Sequence, residues 1–284
     1  MTKIAVITDT DASLPKEIAE EFNIKQVPIT VHFGEETFST GIDIDDAYLF
    51  DRVDREGKLP TTAAPAPGAF AKAFQEAFDG GADEIICLCV SSKISGTYNS
   101  ALSALEMHPE RDISVIDTQS VCMGQGFMTL TAAKAIEQGA SKEEAIAQAL
   151  DIGKRMHLYA ALSTLKYLAM SGRVGKLVAG LADAFDVKPI LTMQDGKLEL
   201  LERVRTQKKA EKQVIELTRQ AVGQSAIERM AIVHINDLDG AHALHEKLCA
   251  ILPCPEEIIT AEFSAGLSVH TGSGVVGVVL ATGN

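Results

Sequence analysis

The run Glu84-Ile85-Ile86-Cys87-Leu88-Cys89-Val90-Ser91-Ser92-Lys93-Ile94-Ser95-Gly96-Thr97-Tyr98 decides how the chain is read. Glu84 to Val90 reads as a continuous apolar strand, which predicts a β-strand buried on both faces. A Ser/Gly loop follows, and Ser95 to Met107 predicts a helix. A buried strand leading through such a loop into a helix is the unit of an open α/β sheet, whose ligands bind beyond the C-terminal ends of the strands.

The flanking sequence repeats the unit. Lys3 to Thr8 predicts a strand, and Leu14-Pro15-Lys16-Glu17-Ile18 opens a helix with Pro in its first turn. Ile24 to Phe33 is a second extended run, Ile42 to Val53 mixes acids with a helix signal, and Pro60 to Gly68 reads as an irregular loop. Gly68 to Asp79 predicts a helix with Phe70, Phe74 and Phe78 on one face. Ile113 to Ile116 predicts a strand, and Gly126 to Leu158 two helices hinged at Gly139. Residues 1–156 therefore read as an α/β domain with a mostly parallel sheet. Residues 157–284 read as a smaller α+β domain packed on it. There a short helical pattern runs to Ser171, and Ala184 to Met193 pairs with Lys197 to Val204 across the turn Asp195-Gly196. Helices Lys208 to Val222 and Gly240 to Leu252 alternate with strands Met230 to Ile235, Ile258 to Phe263 and Val275 to Ala281.

Twenty-six Lys and Arg against 39 Asp and Glu give a net charge of −13 over 284 residues. Such a field repels phosphate backbones and anionic bilayers, so nucleic acid and membrane surfaces are excluded as partners. Residues 1–156 carry 13 basic and 25 acidic side chains, net −12, whereas residues 157–284 carry 13 and 14, net −1. The two halves present different surfaces. Aromatic residues make up 5% and Trp is absent, so a cavity in this chain would have aliphatic walls. The five cysteines, Cys87, Cys89, Cys122, Cys249 and Cys254, form no legible disulfide framework, and no apolar run is long enough for a membrane span. A cytoplasmic location is expected.

Several segments could carry chemistry. Ser95 and Gly96 put a hydroxyl and backbone N–H groups at a helix N-terminus, where carboxylate or phosphate oxygens are stabilised; the same residues also fit a plain N-cap. Thr62 stands in a loop stiffened by Pro65 and Pro67, and His270 in the Gly-rich segment His270-Thr271-Gly272-Ser273-Gly274. Asp9 and Asp11 form an Asp-x-Asp pair that suits a phosphotransfer nucleophile or a Mg²⁺ ligand, or else a helix cap. No zinc spacing and no nucleotide-binding glycine motif occurs, and Ser95 lacks the Gly-x-Ser-x-Gly elbow of a hydrolase. Arg203, Arg205, Lys208 and Lys209 form a basic cluster in the less acidic half, either a solvated face or a docking surface.

In order and spacing these segments resemble the DegV family of bacterial lipid-binding proteins along nearly the whole chain. The matching pieces include Ile7-Thr8-Asp9 with Leu14-Pro15, Thr62 to Gly68, Ser91 to Ser100, Val115-Ile116-Asp117-Thr118, Met123-Gly124-Gln125-Gly126, Thr164 to Leu168 leading to Ser171-Gly172-Arg173, Lys188-Pro189-Ile190, Val204-Arg205-Thr206 and His270-Thr271-Gly272. The resemblance implies a carrier, not an enzyme, that holds one long-chain fatty acid between its two domains. Thr62, Ser95, the Gly96 amide and His270 would bind the carboxylate. A separate ATP-dependent fatty acid kinase subunit would make the acyl phosphate, with Arg173 at a position serving that partner; the basic cluster with Arg203 and Arg205 is then the candidate docking surface. No metal and no other cofactor is implied. The chain departs from the family at Asp9-Thr10-Asp11, where Asp-Ser-Thr is usual, at Ala63 and Ala64, where Ser and Gln are common, and at Ser171, which replaces Gly. The competing reading is a stand-alone hydrolase or phosphotransferase using Ser95 or the Asp9/Asp11 pair.

Overall fold

The computed structural model describes residues 2–172 and 187–283. Its first sheet is wholly parallel, in the order β2-β1-β6-β7, from β1 (Ile4–Asp9), β2 (Ile24–Val27), β6 (Glu84–Cys89) and β7 (Asp112–Asp117). The alternation in β6 shows why it is central. Ile85, Cys87 and Cys89 face Phe70, Phe74 and Phe78 of α3 (Pro67–Asp79), while Ile86, Leu88 and Val90 face Met123 and Phe127 of α5 (Met123–Glu137). Both faces are covered by helices, so a continuous apolar run is what the strand requires.

Two expectations are corrected in this half. The run Ile24 to Phe33 is not one strand: Pro28 lacks the N–H that a ladder needs, and the chain leaves β2 there. It re-enters as β3 (Thr30–Phe33), the middle of a separate antiparallel sheet with β4 (Glu36–Ser39) and β5 (Thr61–Ala63), beside α2 (Asp46–Glu56). The Pro60 to Gly68 segment is accordingly not all irregular, because Val31 pairs with Thr62 and fixes its backbone.

α1 (Lys16–Glu21) and α4 (Thr97–Leu105) complete the layers with α6 (Lys142–Lys154). The expected second helix does not reach Leu158: α6 ends at Lys154, and Leu158 lies in β8 (Met156–Ala161). That strand starts the second sheet, of order β10-β9-β8-β13-β11-β12, with β9 (Lys188–Gln194), β10 (Lys197–Val204), β11 (Ile227–Ile235), β12 (Ile259–Glu262) and β13 (Val275–Thr282). Its neighbours are antiparallel except β11 and β12. One face packs on α8 (Gln207–Val222) and α9 (Leu238–Cys249) through Val214, Leu244 and Leu248. The other, bearing Leu158, Ala160, Leu191, Val233 and Val279, joins the same core as α5. α5 is thus caught between the two sheets, which explains why eleven of its fifteen residues are buried around its whole circumference. Gly126 permits this closeness, since a Cβ there would lie 2.9 Å from the Ala12 carbonyl oxygen.

α7 (Lys166–Ser171) precedes the undescribed segment, and α10 (Ala265–Thr271) joins β12 to β13. His270 therefore lies in a helix and not in a Gly-rich loop. Ser264 caps that helix by accepting the Leu267 N–H, and Gly272, at φ 79°, ends it. The cysteine expectation also needs correction: Cys249 and Cys254 form a disulfide across the turn after α9, at a Cα separation of 5.4 Å. Cys87, Cys89 and Cys122 are free and buried, as small apolar residues. Cysteine usage thus no longer argues for the cytoplasm. Among the described residues no helix is long and apolar enough to cross a membrane.

Candidate functional site

The parallel strands end on one edge, and the loops beyond β1 and β6 meet β5 and α10 there. Asp9, at the end of β1, is buried. Its carboxylate accepts from the N–H groups of Asp11 and Val90 and from the Gln125 amide, with distances of 2.9 to 3.0 Å. Burial raises its pKa to about 6, against the lowering effect of those donors. Asp11 accepts from the Ser264 hydroxyl at 3.0 Å, joining the turn after β1 to the start of α10. The Asp-x-Asp pair is spent on holding backbone and helix, and among the described residues no group of three His, Cys, Asp or Glu could hold a metal. Asp117 is likewise engaged, accepting from the Ser92 hydroxyl and N–H.

The loop after β6 is clamped from the other half. The Ser91 hydroxyl donates to the Gly196 carbonyl at 2.6 Å, and the Lys93 ammonium donates to that of Asp195 at 2.5 Å. The β9–β10 turn thereby fixes the entry to α4. Ser95 is half-buried; its Oγ accepts the Thr97 N–H at 3.3 Å and lies 2.8 Å from Thr97 Oγ1. Gly96 is the N-cap residue of α4 and lines the cavity, so the start of this helix stands at the cavity wall, with its first N–H, that of Thr97, already held by Ser95 Oγ. A Cβ at Gly96 would be 3.9 Å from Ala64 Cβ, an ordinary contact. The Ser100 hydroxyl of α4 donates to the Pro65 carbonyl and ties this helix to the Thr62 strand. Thr62 Oγ1 and His270 Nε2 share a hydrogen bond of 2.8 Å.

The four residues expected to hold a head group line one cavity of about 120 Å³. Thr62, Ser95, Gly96 and His270 give it a polar end. Its remaining wall is chiefly aliphatic and comes from both halves: Ile29, Ile94 and Val121 from the first, Leu158, Leu191 and Leu198 from the second. Local pattern could not have found that wall, because it exists only where two sheets meet. A group with one anionic end and a long apolar body matches this distribution.

Arg203, in β10, and Arg205, just beyond it, are exposed, as are Lys208 and Lys209. β10 is an edge strand of the second sheet, with Arg203 towards its end and Leu198 of the cavity wall near its start. Arg173 lies outside the described residues.

A family model described as "Uncharacterised protein, DegV family" matches residues 3–283. The protein DegV of Bacillus subtilis is 33% identical over 276 residues, covering 97% of this chain and 98% of that protein. A DegV domain-containing protein of Halalkalibacterium halodurans is 32% identical over 277 residues, covering 98% of each. Among solved structures, a DegV family protein from Thermus thermophilus described by its fatty acid binding superposes with a TM-score of 0.91 at 31% identity, over 99% of this chain and 100% of that one. The structure of DegV, a fatty acid binding protein from Bacillus subtilis, superposes at 0.89 and 32% identity over the full length of both.

Proposed function

The chain belongs to the DegV family, and from that premise we propose that it binds a long-chain fatty acid, with the carboxylate at Thr62, Ser95, Gly96 and His270 and the acyl chain in the cavity beyond them. The observation that carries this reading is the cavity itself, which brings Thr62, Ser95, Gly96 and His270 together in a lining that, Asp11, Thr271 and Phe263 apart, is otherwise aliphatic or glycine. A carboxylate leaving water needs several charge-assisted donors, and two hydroxyls, an imidazole and a helix start can supply them. Each buried methylene adds roughly 0.8 kcal/mol, so an aliphatic body is retained by length alone. Support also comes from the two solved relatives above 30% identity that are described as binding fatty acids.

The proposal includes presentation of the carboxylate to a separate ATP-dependent kinase, with the basic cluster at Arg203 and Arg205 as its docking surface and Arg173, outside the described residues, as a further residue serving that partner. A cytoplasmic location belongs to the same proposal, because the kinase and its ATP would be met there. So does the division into residues 1–156, which carry the carboxylate loops, and 157–284, which cover the acyl chain. We assign no catalytic residue to this chain: Ser95 Oγ is bonded to Thr97 while the His270 Nε2 bond goes to Thr62, and Asp9 accepts three donors. Denaturing mass spectrometry of purified protein, before and after incubation with palmitate, tests the binding reading. One fatty acid per chain is expected; its absence in both samples would overturn the reading, and turnover of an ester or phosphate by the protein alone would favour the hydrolytic one.

A further inference from the structure

α10 carries His270 on one side and, two residues earlier, Ser268. The Ser268 hydroxyl is fully buried and donates at 2.9 Å to Oδ2 of Asp46, the first residue of α2. Asp46 is 3% exposed, and its Oδ1 has no hydrogen-bond partner among the described residues. The first half thus grips the helix that bears His270 through a buried carboxyl group with a single donor. The charged surroundings are acidic. Asp45, the α2 cap, and Glu262, in β12, both oppose ionisation of Asp46. Glu262 stands 3.9 Å from His234, and burial holds the pKa of that imidazole below its usual range. Asp11 meets the start of α10 at Ser264. Of the two cations of α2, Arg52 is turned to Glu36 and Glu56 and Arg55 to Asp51. On α10 itself the titratable group is His270.

We propose that Asp46 is a proton-linked latch for the head-group helix: neutral, it can stay buried between α2 and α10 and so keeps His270 against Thr62, and ionised, it draws water into that seam and releases α10 and with it the ligand. This rests on the fatty-acid reading of the cavity. The Ser268 hydroxyl by itself favours the carboxylate, but burial, an Oδ1 with no donor and two acidic neighbours outweigh that single bond, so the protonated carboxyl is the form the surroundings favour. Burial raises the Asp46 pKa to about 7, which puts the change of state in the neutral range. As pH rises through that value, the folded protein loses a proton that the seated helix requires, and water must enter between α2 and α10 to solvate the charge. A residue that positions another in this way is coupled to the ligand in both directions: an anionic head group beside α10 favours the proton on Asp46.

The test measures palmitate affinity at pH 6.5 and 8.5 by displacement of a fluorescent fatty acid, in the wild type, Asp46→Asn and Ser268→Ala. It is paired with amide hydrogen exchange over residues 265–271 of the lipid-free protein, corrected for the intrinsic pH effect. The wild type is expected to weaken roughly tenfold or more between the two pH values, within the limit of about tenfold per pH unit for one proton. Asp46→Asn is expected to flatten that profile, and Ser268→Ala to weaken binding at both pH values. Exchange across α10 should accelerate at pH 8.5 in the wild type and not in Asp46→Asn. A His270→Gln control keeps the Asp46-dependent acceleration if imidazole titration is not its source; loss of the acceleration in that control would overturn the latch. So would an Asp46→Asn profile parallel to the wild type, or wild-type exchange unchanged by pH. Failure of palmitate to bind at either pH, with α10 exchange still following Asp46, would overturn the fatty-acid reading and leave the proton latch standing.

Discussion

Thr62 Oγ1 and His270 Nε2 lie 2.8 Å apart although 208 positions separate them in the chain. Each end is fixed by a different device. Thr62 is held by the pairing of β5 with β3, and His270 by the short helix that Ser264 caps and that Asp11 and Asp46 anchor. The contact therefore reports the fit of the two halves around the cavity as well as the polarity of its end.

Replacing the Thr62 hydroxyl by a methyl group tests whether that end binds an anion. Thr62→Val keeps the β-branched shape that suits a strand and deletes one donor. A hydrogen bond to a charged group is worth about 1.5 to 3 kcal/mol, so palmitate should bind roughly 10- to 150-fold more weakly. Fluorescent displacement measures this, with the unfolding midpoint of the ligand-free protein changing little. Affinity within twofold of the wild type would remove Thr62 from the site.

Ala160 lines the apolar part of the cavity and is 4% exposed. Ala160→Phe places a ring where the acyl body is proposed to run. Overpacking costs about 1 to 3 kcal/mol, which this chain should survive. The readout is the shift in Tm on adding palmitate, because a ligand that binds only the folded state raises it. A clear rise is expected in the wild type and none in the variant; an equal rise in both would place the ligand elsewhere.

How much of this was legible depends on whether a feature is local. The β6 run and the Phe70, Phe74, Phe78 face carry their own periodicity, and both strand and helix stand where the pattern puts them. The break at Pro28 was also written in the sequence, as a missing N–H inside an apolar run. By contrast α10 spans seven residues between Ser264 and Gly272, too few for periodicity to show, and its N-cap serine was the one sign. Thr62, Ser95, Gly96 and His270 were grouped by family likeness, since each alone fits capping or a loop equally well. Leu158, Leu191 and Leu198 carry no mark distinguishing a cavity wall from ordinary core, because the cavity arises from the meeting of two sheets.

The α3 face gives a stability prediction independent of any ligand. Phe74 is fully buried, with ring contacts to Phe70 and His108 at 6.1 Å. Phe74→Ala leaves a hole that α3, α4 and β6 cannot close, at a cost of about 3 to 5 kcal/mol. Urea unfolding should show a lower midpoint with an unchanged slope, and a loss under about 1 kcal/mol would mean that this layer repacks freely.

Asp9 gives a pH dependence whose sign follows from its environment. Its pKa rises from the ordinary 3.8 to about 6 in the fold because burial disfavours the charged form more than its donors favour it. Between these values the folded state holds more proton than the unfolded one, so stability contributed by Asp9 is greatest below about pH 4 and is lost as pH rises towards and through 6. A rise of that size corresponds to roughly 3 kcal/mol. Asp46, raised to about 7, adds a dependence of the same sign that extends higher. Asp9→Asn should flatten the lower part of the profile, between about pH 4 and 6, and leave the upper part intact. The variant would be less stable at low pH, since its amide N–H₂ cannot accept from both Val90 and Gln125 as Oδ2 does. Unfolding free energies across roughly pH 4 to 8 measure both effects. A wild-type profile that instead rises through pH 6, together with an unaltered slope in Asp9→Asn, would show that the three donors outweigh burial and that Asp9 stays ionised in the folded protein.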